Sequence, residues 1–187
     1  MSKLVLITGA GTGIGRNIAE TLANQGNSII LCGRNLDKLE ETKSNLKNPS
    51  SHTTPACDIR KLGDLQSVLE KNNVKSLYGL VANAGVGGQN TYGENDRWRE
   101  VIDTNLTGTY QTVQECLPYL KKDSAPFKKV VILSSILARL GVPGYSAYCA
   151  SKAGLLGLTR SFAAEYSGDK ILVNALCPGW VLSLIHI

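Results

Sequence analysis

Short apolar runs alternate along the chain with longer segments of helical period. The runs are rich in leucine or β-branched residues and have the length of buried strands. Apolar residues at intervals of three or four fill the gaps between them, as at Ile14, Ile18 and Leu22, and Gly26 is placed to end that helix. Because parallel strands need crossover connections, this pattern predicts an α/β fold, a doubly wound parallel sheet with helices on both faces. The predicted strands are Leu4–Thr8, Ser28–Cys32, Thr53–Cys57, Leu77–Ala82, Val130–Ser134 and Leu172–Leu176.

The chain of 187 residues shows no linker, internal repeat or low-complexity tract, so we expect a single domain over residues 1–187. Its composition, 43% hydrophobic and 19% charged, is that of a globular protein with a sizeable core rather than a disordered one. In open parallel sheets the ligand lies beyond the carboxyl ends of the strands. The residues that follow each strand are therefore the candidates for a functional site.

The net charge of +5 does not indicate a nucleic-acid partner. No aromatic residues alternate with the clustered lysines, which are Lys121, Lys122, Lys128 and Lys129. No apolar stretch has the length of a membrane span, and no basic leader with a cleavage site precedes Leu4. We expect a cytoplasmic protein with no nucleic-acid or membrane partner.

The cysteines predict neither a disulfide framework nor a metal site. Their number is odd, they are widely spaced, and no two form a C-x-x-C pair. We interpret them as reduced thiols of the core. They are Cys32, Cys57, Cys116, Cys149 and Cys177.

A glycine-rich segment, TGAGTGIG at residues 8–15, joins the first predicted strand to the first helix. Gly9, Gly13 and Gly15 allow a tight turn in which backbone N–H groups and the helix N-terminus approach a pyrophosphate. The spacing is G-x-x-x-G-x-G rather than G-x-G-x-x-G, and the Lys-Ser/Thr ending of a Walker loop is missing. An ordinary turn is the alternative, but the strand-to-helix context favours a dinucleotide site.

The second predicted strand is followed by Gly33 and Arg34, where dinucleotide folds usually carry an acid for the ribose. A guanidinium at this place suits a 2′-phosphate, which favours NADP(H) over NAD(H). The alternative is that Arg34 only begins an exposed loop. Asp58, after the third strand, either accepts a hydrogen bond from the adenine amino group or caps the next helix. The residues alone leave these two roles open.

The segment YSAYCASKAG, residues 145–154, is predicted to be helical and contains a tyrosine–lysine pair. Tyr148 and Lys152 are four residues apart and share one helix face, whereas Cys149 stands four residues beyond Tyr145. A nearby ammonium favours a phenolate, so we expect Lys152 to lower the pKa of Tyr148 from its usual value of about 10. An ordinary surface pair is the alternative.

Several motifs together closely resemble the short-chain dehydrogenase/reductase family. They are TGAGTGIG, ANAG (82–85), DTN (103–105), SS (134–135), YCASK (148–152) and CPG (177–179). The likeness runs from Lys3 to about Val181, and VIDTNLTG and ASKAGLLGLTRSFA are most similar to the β-ketoacyl reductase and simple carbonyl reductase branch. The resemblance implies a Rossmann fold, reduction of a small-molecule carbonyl to an alcohol or the reverse reaction, and assembly as a homo-oligomer, either a dimer or a tetramer.

The same resemblance implies roles for individual residues. Tyr148 exchanges the proton, Ser135 hydrogen-bonds the carbonyl oxygen, Lys152 also binds the nicotinamide ribose, and Asn105 helps to hold a relay water. Asp58 and Ile59 line the adenine. The implied cofactor-binding residues are Gly9, Thr12, Gly13, Ile14, Gly15, Arg34, Asp58, Ile59, Asn83, Ala84, Gly85, Tyr148, Lys152, Pro178, Gly179 and Val181.

The chain departs from the family pattern at two positions. Ala82 replaces the first Asn of the usual NNAG, and Thr12 stands where many NADP-dependent members have a basic residue. The second departure leaves the 2′-phosphate to Arg34. The family also continues beyond the CPG turn with a segment that closes the substrate pocket. We therefore expect LSLIHI (182–187) to be an unnatural ending of an incomplete family member.

Two other function classes compete with this prediction. A serine hydrolase is disfavoured because the chain has no G-x-S-x-G motif, and only His52 and His186 could serve as a histidine base. A cofactor-binding protein without turnover, acting as a redox sensor or structural partner, is the second. The intact set of Ser135, Tyr148 and Lys152 argues against it.

Overall fold

A parallel sheet of five strands forms the centre of the computed structural model, which describes residues 3–179. The strands lie in the order β2-β1-β3-β4-β5. All four pairings are parallel, and in the β1–β2 pair Leu4 lies opposite Ser28. The strands are β1 (Leu4–Thr8), β2 (Ser28–Cys32), β3 (Gly79–Ala82), β4 (Lys128–Leu133) and β5 (Ile171–Leu176).

Helices connect the strands and cover both faces of the sheet. They are α1 (Gly13–Asn24), α2 (Leu36–Ser44), α3 (Asp64–Lys71), α4 (Trp98–Ile102), α5 (Gly108–Lys121) and α6 (Ser146–Glu165). One π-helical turn, Asp103–Thr107, joins α4 to α5, and short 3₁₀ turns occupy Pro49–Ser51 and Ile136–Ala138. These elements make a doubly wound Rossmann-type fold, as the hydrophobic pattern predicted.

The core has two parts, one on each face of the sheet. Val5 and Ile7 of β1 pack with Ala19 and Ala23 of α1 on one face. Leu6, between them in the sequence, packs on the other face with side chains from α3, α5 and α6. Successive strand residues point to opposite faces, so a continuous apolar run such as LVLIT is buried on both sides.

The strand order reverses at β1, which lies between β2 and β3. Strand β2 pairs with one edge of β1. The chain then returns past β1, so that β3, β4 and β5 follow one another from its other edge. A crevice opens at the carboxyl ends of the strands where such a reversal occurs. The glycine-rich turn after β1 and the ANAG segment after β3 border this crevice.

The predicted bounds hold for β1 and β2, and the other strands that form differ by one or two residues at their ends. Gly26 has a φ of +86° and follows the C-cap Gln25, which confirms its helix-ending role. The predicted strand Thr53–Cys57 is wrong. This segment makes only isolated bridges, Ile30 with Thr53 and Gly33 with Ala56, because Pro55 between them lacks the N–H that a ladder needs.

No helix within residues 3–179 is long and apolar enough to cross a bilayer.

Candidate active site

The glycine-rich turn is shaped by close backbone approach. Gly9 has a φ of +66°, and a Cβ added to it would lie 2.9 Å from the Ala84 Cα. A Cβ added to Gly15 would lie 2.2 Å from the Gly9 carbonyl oxygen and 2.6 Å from the Asn83 Nδ2. Side chains are therefore excluded at both positions, which brings α1 directly against the end of β1.

The N-terminus of α1 is open on the side away from the sheet. Gly13 has a φ of +53°, and no atom lies within 4 Å of the position that its Cβ would take. Thr12 is the N-cap residue, but its side chain makes no capping hydrogen bond, and the first turn contains no acidic residue. Thr12, directly before this first turn, lines the cavity described below, while Gly13 and Ile14 do not. A helix N-terminus without an acidic residue suits an anionic group.

The segment after β3 is fastened to this turn by two side chains. Asn83 donates from Nδ2 to the Thr8 carbonyl (3.0 Å) and to the Gly9 carbonyl (3.2 Å). Thr8 Oγ1 in turn accepts from the backbone N–H groups of Asn83 and Ala84, each at 3.1 Å. Thr8 was not predicted as a site residue, although a threonine at the strand end before the glycines was a usable signal.

A cavity of about 680 Å³ extends from the glycine-rich turn across the ends of β1, β2 and β3. Arg34, Lys38 and Arg60 bring positive charge to it, and Ile59 contributes an apolar wall. Thr104 also lines it, with a buried hydroxyl that has no hydrogen-bond partner within the described residues. Further predicted residues on its wall are Gly9, Thr12, Asp58, Ala84 and Gly85.

Asp58 lies on the cavity wall as an ion-pair partner. Its carboxylate accepts from the Arg60 side chain (Nη2 to Oδ2, 2.5 Å) and from the Arg60 backbone N–H (3.1 Å). The hydrogen bond from the Arg60 side chain is the main cause that lowers the Asp58 pKa to about 2. The alternative that Asp58 caps the next helix is wrong. Helix α3 begins at Asp64, and Glu115 accepts from the N–H groups at its start.

Arg34 lies at the carboxyl end of β2, as the sequence predicted, and its side chain lines the cavity. None of the ion pairs found in residues 3–179 includes it. Its positive charge contributes weakly to the lowered pKa of Asp58. A cation without a carboxylate partner at the mouth of the cavity can pair with an anionic ligand.

Tyr148, Ser135 and Lys152 converge at the opposite side of the crevice. Ser135 follows β4 and is buried, and its Oγ accepts from the Leu137 N–H at 3.2 Å. Tyr148 is in the first turn of α6 and half-buried. The Lys152 Nζ lies 5.6 Å from the centroid of the Tyr148 ring and donates to the Leu133 carbonyl at 2.8 Å.

The pKa of Tyr148 differs in direction from the sequence-based expectation. Burial raises the pKa of Tyr148 above its ordinary value of 10.0, and a hydrogen bond with Ser135 opposes the rise without cancelling it. Burial also lowers the pKa of Lys152 to about 8, with the nearby Cys177 opposing this shift. Removal from water is the main cause of both pKa shifts, and the sequence spacing does not reveal how deeply the two groups are buried.

Asn105 is fully buried in the π-helical turn, and both ends of its side-chain amide have protein partners. Oδ1 accepts from the Val86 N–H at 2.8 Å. Nδ2 donates to the Val86 carbonyl at 2.9 Å and to Ser151 Oγ at 3.1 Å. Ser151 Oγ donates to the Tyr148 carbonyl at 2.8 Å. Asn105 is therefore linked to the helix of Tyr148 through Ser151, a residue that the sequence analysis missed. Its position three residues after Tyr148 on the helix was the available signal.

Gly85 connects the two parts of the site. A Cβ added to it would lie 3.0 Å from Asn105 Oδ1 and 3.6 Å from the Lys152 Nζ. The CPG segment lies beside Ser135, where the Ile136 N–H donates to the Pro178 carbonyl at 2.9 Å. Gly179 is the last described residue. Val181 and the LSLIHI segment lie outside the described residues.

His52 is not among the residues that line the cavity, whereas Cys32 and Cys57 lie on its wall. His52 is buried, and its Nδ1 accepts from the Ile29 N–H at 3.0 Å, which makes it a structural residue. Cys32, Cys57 and Cys116 are free thiols of the core, whereas the prediction of a core position is wrong for Cys177, which is exposed, and for Cys149, which is half-buried. In residues 3–179 no group of three or more His, Cys, Asp or Glu side chains is placed to hold a metal ion.

Comparisons with known proteins identify the family. The family profile described as short chain dehydrogenase matches residues 3–186. The chain belongs to this family. Its curated relatives include the 3-oxoacyl-(acyl-carrier-protein) reductase FabG of Staphylococcus epidermidis, which is 33% identical over 191 residues and matches 98% of this chain and 77% of the relative. The FabG of Rickettsia prowazekii is 33% identical over 183 residues, which are 97% of this chain and 73% of that protein.

Solved structures of the family share the fold closely. An actinorhodin polyketide ketoreductase, crystallised with NADPH, superposes with a TM-score of 0.90 at 30% identity and covers 98% of this chain and 72% of its own. Levodione reductase gives a TM-score of 0.89 at 27% identity, covering 98% and 73% of the two chains. This chain is thus an oxidoreductase of the short-chain dehydrogenase/reductase family and is similar to its β-ketoacyl reductase branch.

Proposed function

We propose that the protein is an NADP(H)-dependent carbonyl reductase that uses Tyr148 as general acid, assisted by Ser135 and Lys152. The convergence of these three side chains beside Gly85, at the mouth of the crevice, carries the proposal. Asn105, the fourth predicted catalytic residue, is connected to the Tyr148 backbone by hydrogen bonds through Ser151.

The glycine-rich turn fits a dinucleotide. The excluded side chains at Gly9 and Gly15, together with the open N-terminus of α1, leave room for a pyrophosphate against backbone N–H groups. Ile59 and Asp58 would border the adenine, while Asn83, Ala84 and Gly85 would flank the path toward Lys152. When bound, the nicotinamide supplies the hydride that no side chain can supply.

Ser135 and Tyr148 act on the carbonyl oxygen of the substrate. As the carbonyl carbon gains a hydride, negative charge develops on this oxygen, and a hydroxyl donor aimed at it lowers the barrier. Tyr148 then gives its proton to the oxygen, which completes the alcohol, and the resulting phenolate regains a proton from solvent. A raised pKa keeps Tyr148 protonated at neutral pH, so the acid form is the resting one.

Lys152 acts by its charge and by its remaining N–H groups. One N–H is held by the Leu133 carbonyl, which fixes the ammonium beneath the Tyr148 ring. A buried cation at this distance stabilises the phenolate that forms when Tyr148 loses its proton. The other N–H groups remain for the hydroxyls of the nicotinamide ribose. Both N–H groups of the Asn105 side chain are engaged by protein partners, so Asn105 would hold the proposed relay water through an oxygen atom.

Arg34 supports a preference for NADP(H) over NAD(H). It lies at the position of the ribose 2′-substituent in dinucleotide folds and has no carboxylate partner in the described ion pairs. Lys38, at the start of α2, brings a second positive charge to the same cavity. The likeness to FabG and ketoreductases favours a β-ketoacyl thioester or a related ketone as substrate.

The test is a carbonyl panel that contains β-ketoacyl thioesters, simple ketones and quinones. We expect NADPH to be oxidised with one alcohol formed for each cofactor consumed, and at least one substrate of the thioester or ketone class to be reduced. Ser135→Ala should lower turnover about a hundredfold while leaving NADPH binding within about twofold. NADPH binding without reduction of any carbonyl would contradict the proposal and favour a sensor or structural protein.

A further inference from the structure

The first turn of α6 is capped by a residue far away in the sequence. Asn90 Oδ1 accepts from the Ala147 N–H at 2.9 Å and from the Ser146 hydroxyl, 56 residues away, at 3.1 Å. Tyr145, the local N-cap residue, makes no side-chain capping bond. Asn90 therefore supplies the acceptor that helix N-termini usually find in their own cap residue.

Asn90 also joins two further parts of the chain. Its backbone N–H donates to the Gly144 carbonyl at 2.8 Å, which holds the loop before α6. Its Nδ2 donates to Asp96 Oδ1 at 3.3 Å, and the same carboxylate oxygen accepts from the Trp98 N–H at 2.9 Å at the start of α4. One side chain thus connects the first turns of α4 and α6.

Both connected helices lead to the candidate active site. Ala147 is fully buried and immediately precedes Tyr148. Helix α4 continues into the π-helical turn that holds Asn105. Asn105 donates to Ser151 Oγ, and Ser151 Oγ donates to the Tyr148 carbonyl, so Asn105 is also connected to α6. The backbone of Tyr148 is therefore held on one side by Asn90 and on the other by Asn105.

We propose that Asn90 is a positioning residue for the proton donor: by capping α6 at Ala147 it sets where the Tyr148 hydroxyl stands relative to Ser135. This inference rests on the proposed function, in which Tyr148 transfers the proton. Asn90 touches neither reacting group, so its effect passes through the backbone of the first helical turn. Small displacements of a reacting group are costly to rate, whereas the glycine-rich turn, which would hold the pyrophosphate, lies between β1 and α1 and makes none of the contacts of Asn90.

The chain offers a matched control for capping alone. The Glu115 carboxylate accepts from the Gly63 N–H at 2.8 Å and the Gln66 N–H at 2.9 Å, so it also caps a helix, α3, from a distant position. Glu115→Ala should destabilise the fold by an amount similar to Asn90→Ala. Its turnover per folded molecule should equal that of the parent.

For Asn90→Ala we expect kcat to fall about tenfold with the Kd for NADPH changed less than twofold. The variant Asn90→Asp keeps a side-chain oxygen that accepts from the Ala147 N–H and gives up only the bond to Asp96. We expect it to retain clearly more of kcat than Asn90→Ala. If Asn90→Ala and Glu115→Ala retain equal kcat, Asn90 only stabilises the fold and the inference is wrong.

A second readout separates this inference from the proposed function. In protein labelled with ¹³C at the tyrosine ring, Tyr148→Phe identifies the Tyr148 resonance. We expect that resonance to shift in Asn90→Ala and to stay in place in Glu115→Ala, whether or not any carbonyl is reduced. A parent without turnover would overturn the proposed function, whereas an unmoved Tyr148 resonance in Asn90→Ala would overturn the role of Asn90.

Discussion

The glycine-rich turn and the first turns of α6 border the same crevice but fix their geometry by opposite means. At the turn, the absence of side chains at Gly9 and Gly15 lets backbone segments touch. In α6, polar groups are held by partners from other elements, as Lys152 is by the Leu133 carbonyl and the Ala147 N–H is by Asn90. The first region should therefore fail when atoms are added, and the second when atoms or charges are removed.

Adding one methyl group to the turn should have the largest effect. In Gly15→Ala the new Cβ meets the Gly9 carbonyl at 2.2 Å, and neither backbone segment can retreat without separating α1 from β1. Overpacking of about 3 kcal/mol corresponds to roughly a hundredfold loss of affinity. We expect NADPH binding, measured by fluorescence titration, to weaken by at least about that factor.

Gly157 provides the control for this change. It lies inside α6, and no atom is within 4 Å of the position that its Cβ would take. Gly157→Ala should leave NADPH binding unchanged and keep or raise the melting temperature, because Ala favours a helix interior by about 1 kcal/mol. Equal NADPH affinities for Gly15→Ala and Gly157→Ala would show that cofactor binding does not depend on the close backbone contact at Gly15.

Removing the buried charge of α6 should have an effect that depends on pH. Burial lowers the pKa of Lys152 to about 8 from an ordinary 10.5, so the charged form costs folding free energy below about pH 8. This cost disappears as pH rises from about 8 toward 10.5. The parent should therefore gain about 2 kcal/mol in unfolding free energy relative to Lys152→Met between about pH 7.5 and pH 10.

Denaturant unfolding of both proteins across this pH range measures the difference. Lys71, an exposed lysine at the end of α3, serves as the control. Lys71→Met should differ from the parent by a constant amount across the same range. A constant difference for Lys152→Met as well would mean that its ammonium is not held in a dry site.

Changing Arg34 tests whether the cavity beside the glycine-rich turn also binds the cofactor by charge. We expect the smallest change in affinity from this substitution. Arg34→Asp removes a cation near the ribose and introduces repulsion toward a 2′-phosphate, so the ratio of NADPH to NADH affinity should fall about tenfold. Lys47→Asp makes the same change in net charge at an exposed position outside the cavity and should leave the ratio unchanged. A parent that binds NADH as tightly as NADPH would refute the role of Arg34.

Local sequence patterns predicted the elements around the glycine-rich turn. The bounds of β1 and the cap at Gly26 follow from runs of apolar residues and from glycine alone. The strand predicted at Thr53–Cys57 failed because one proline cancels the ladder in a segment whose residues otherwise suit a strand. Short-range signals of this kind decide structure within a few residues.

The α6 side depends on contacts between distant residues, which the sequence pattern does not show. Asn90 lies 57 positions before Ala147, and nothing in its own neighbourhood indicates that it caps α6. The direction of the Tyr148 pKa was predicted wrongly for a related reason, since a spacing of four residues predicts the approach of Lys152 but not the burial of both groups.

The most direct test of the proposed mechanism is Tyr148→Phe, which removes only the hydroxyl that is proposed to give the proton. The account predicts that the Kd for NADPH stays within about twofold of the parent value, while turnover of every carbonyl that the parent reduces falls by at least about a hundredfold. Turnover within a few-fold of the parent would contradict the assignment of Tyr148 as the general acid.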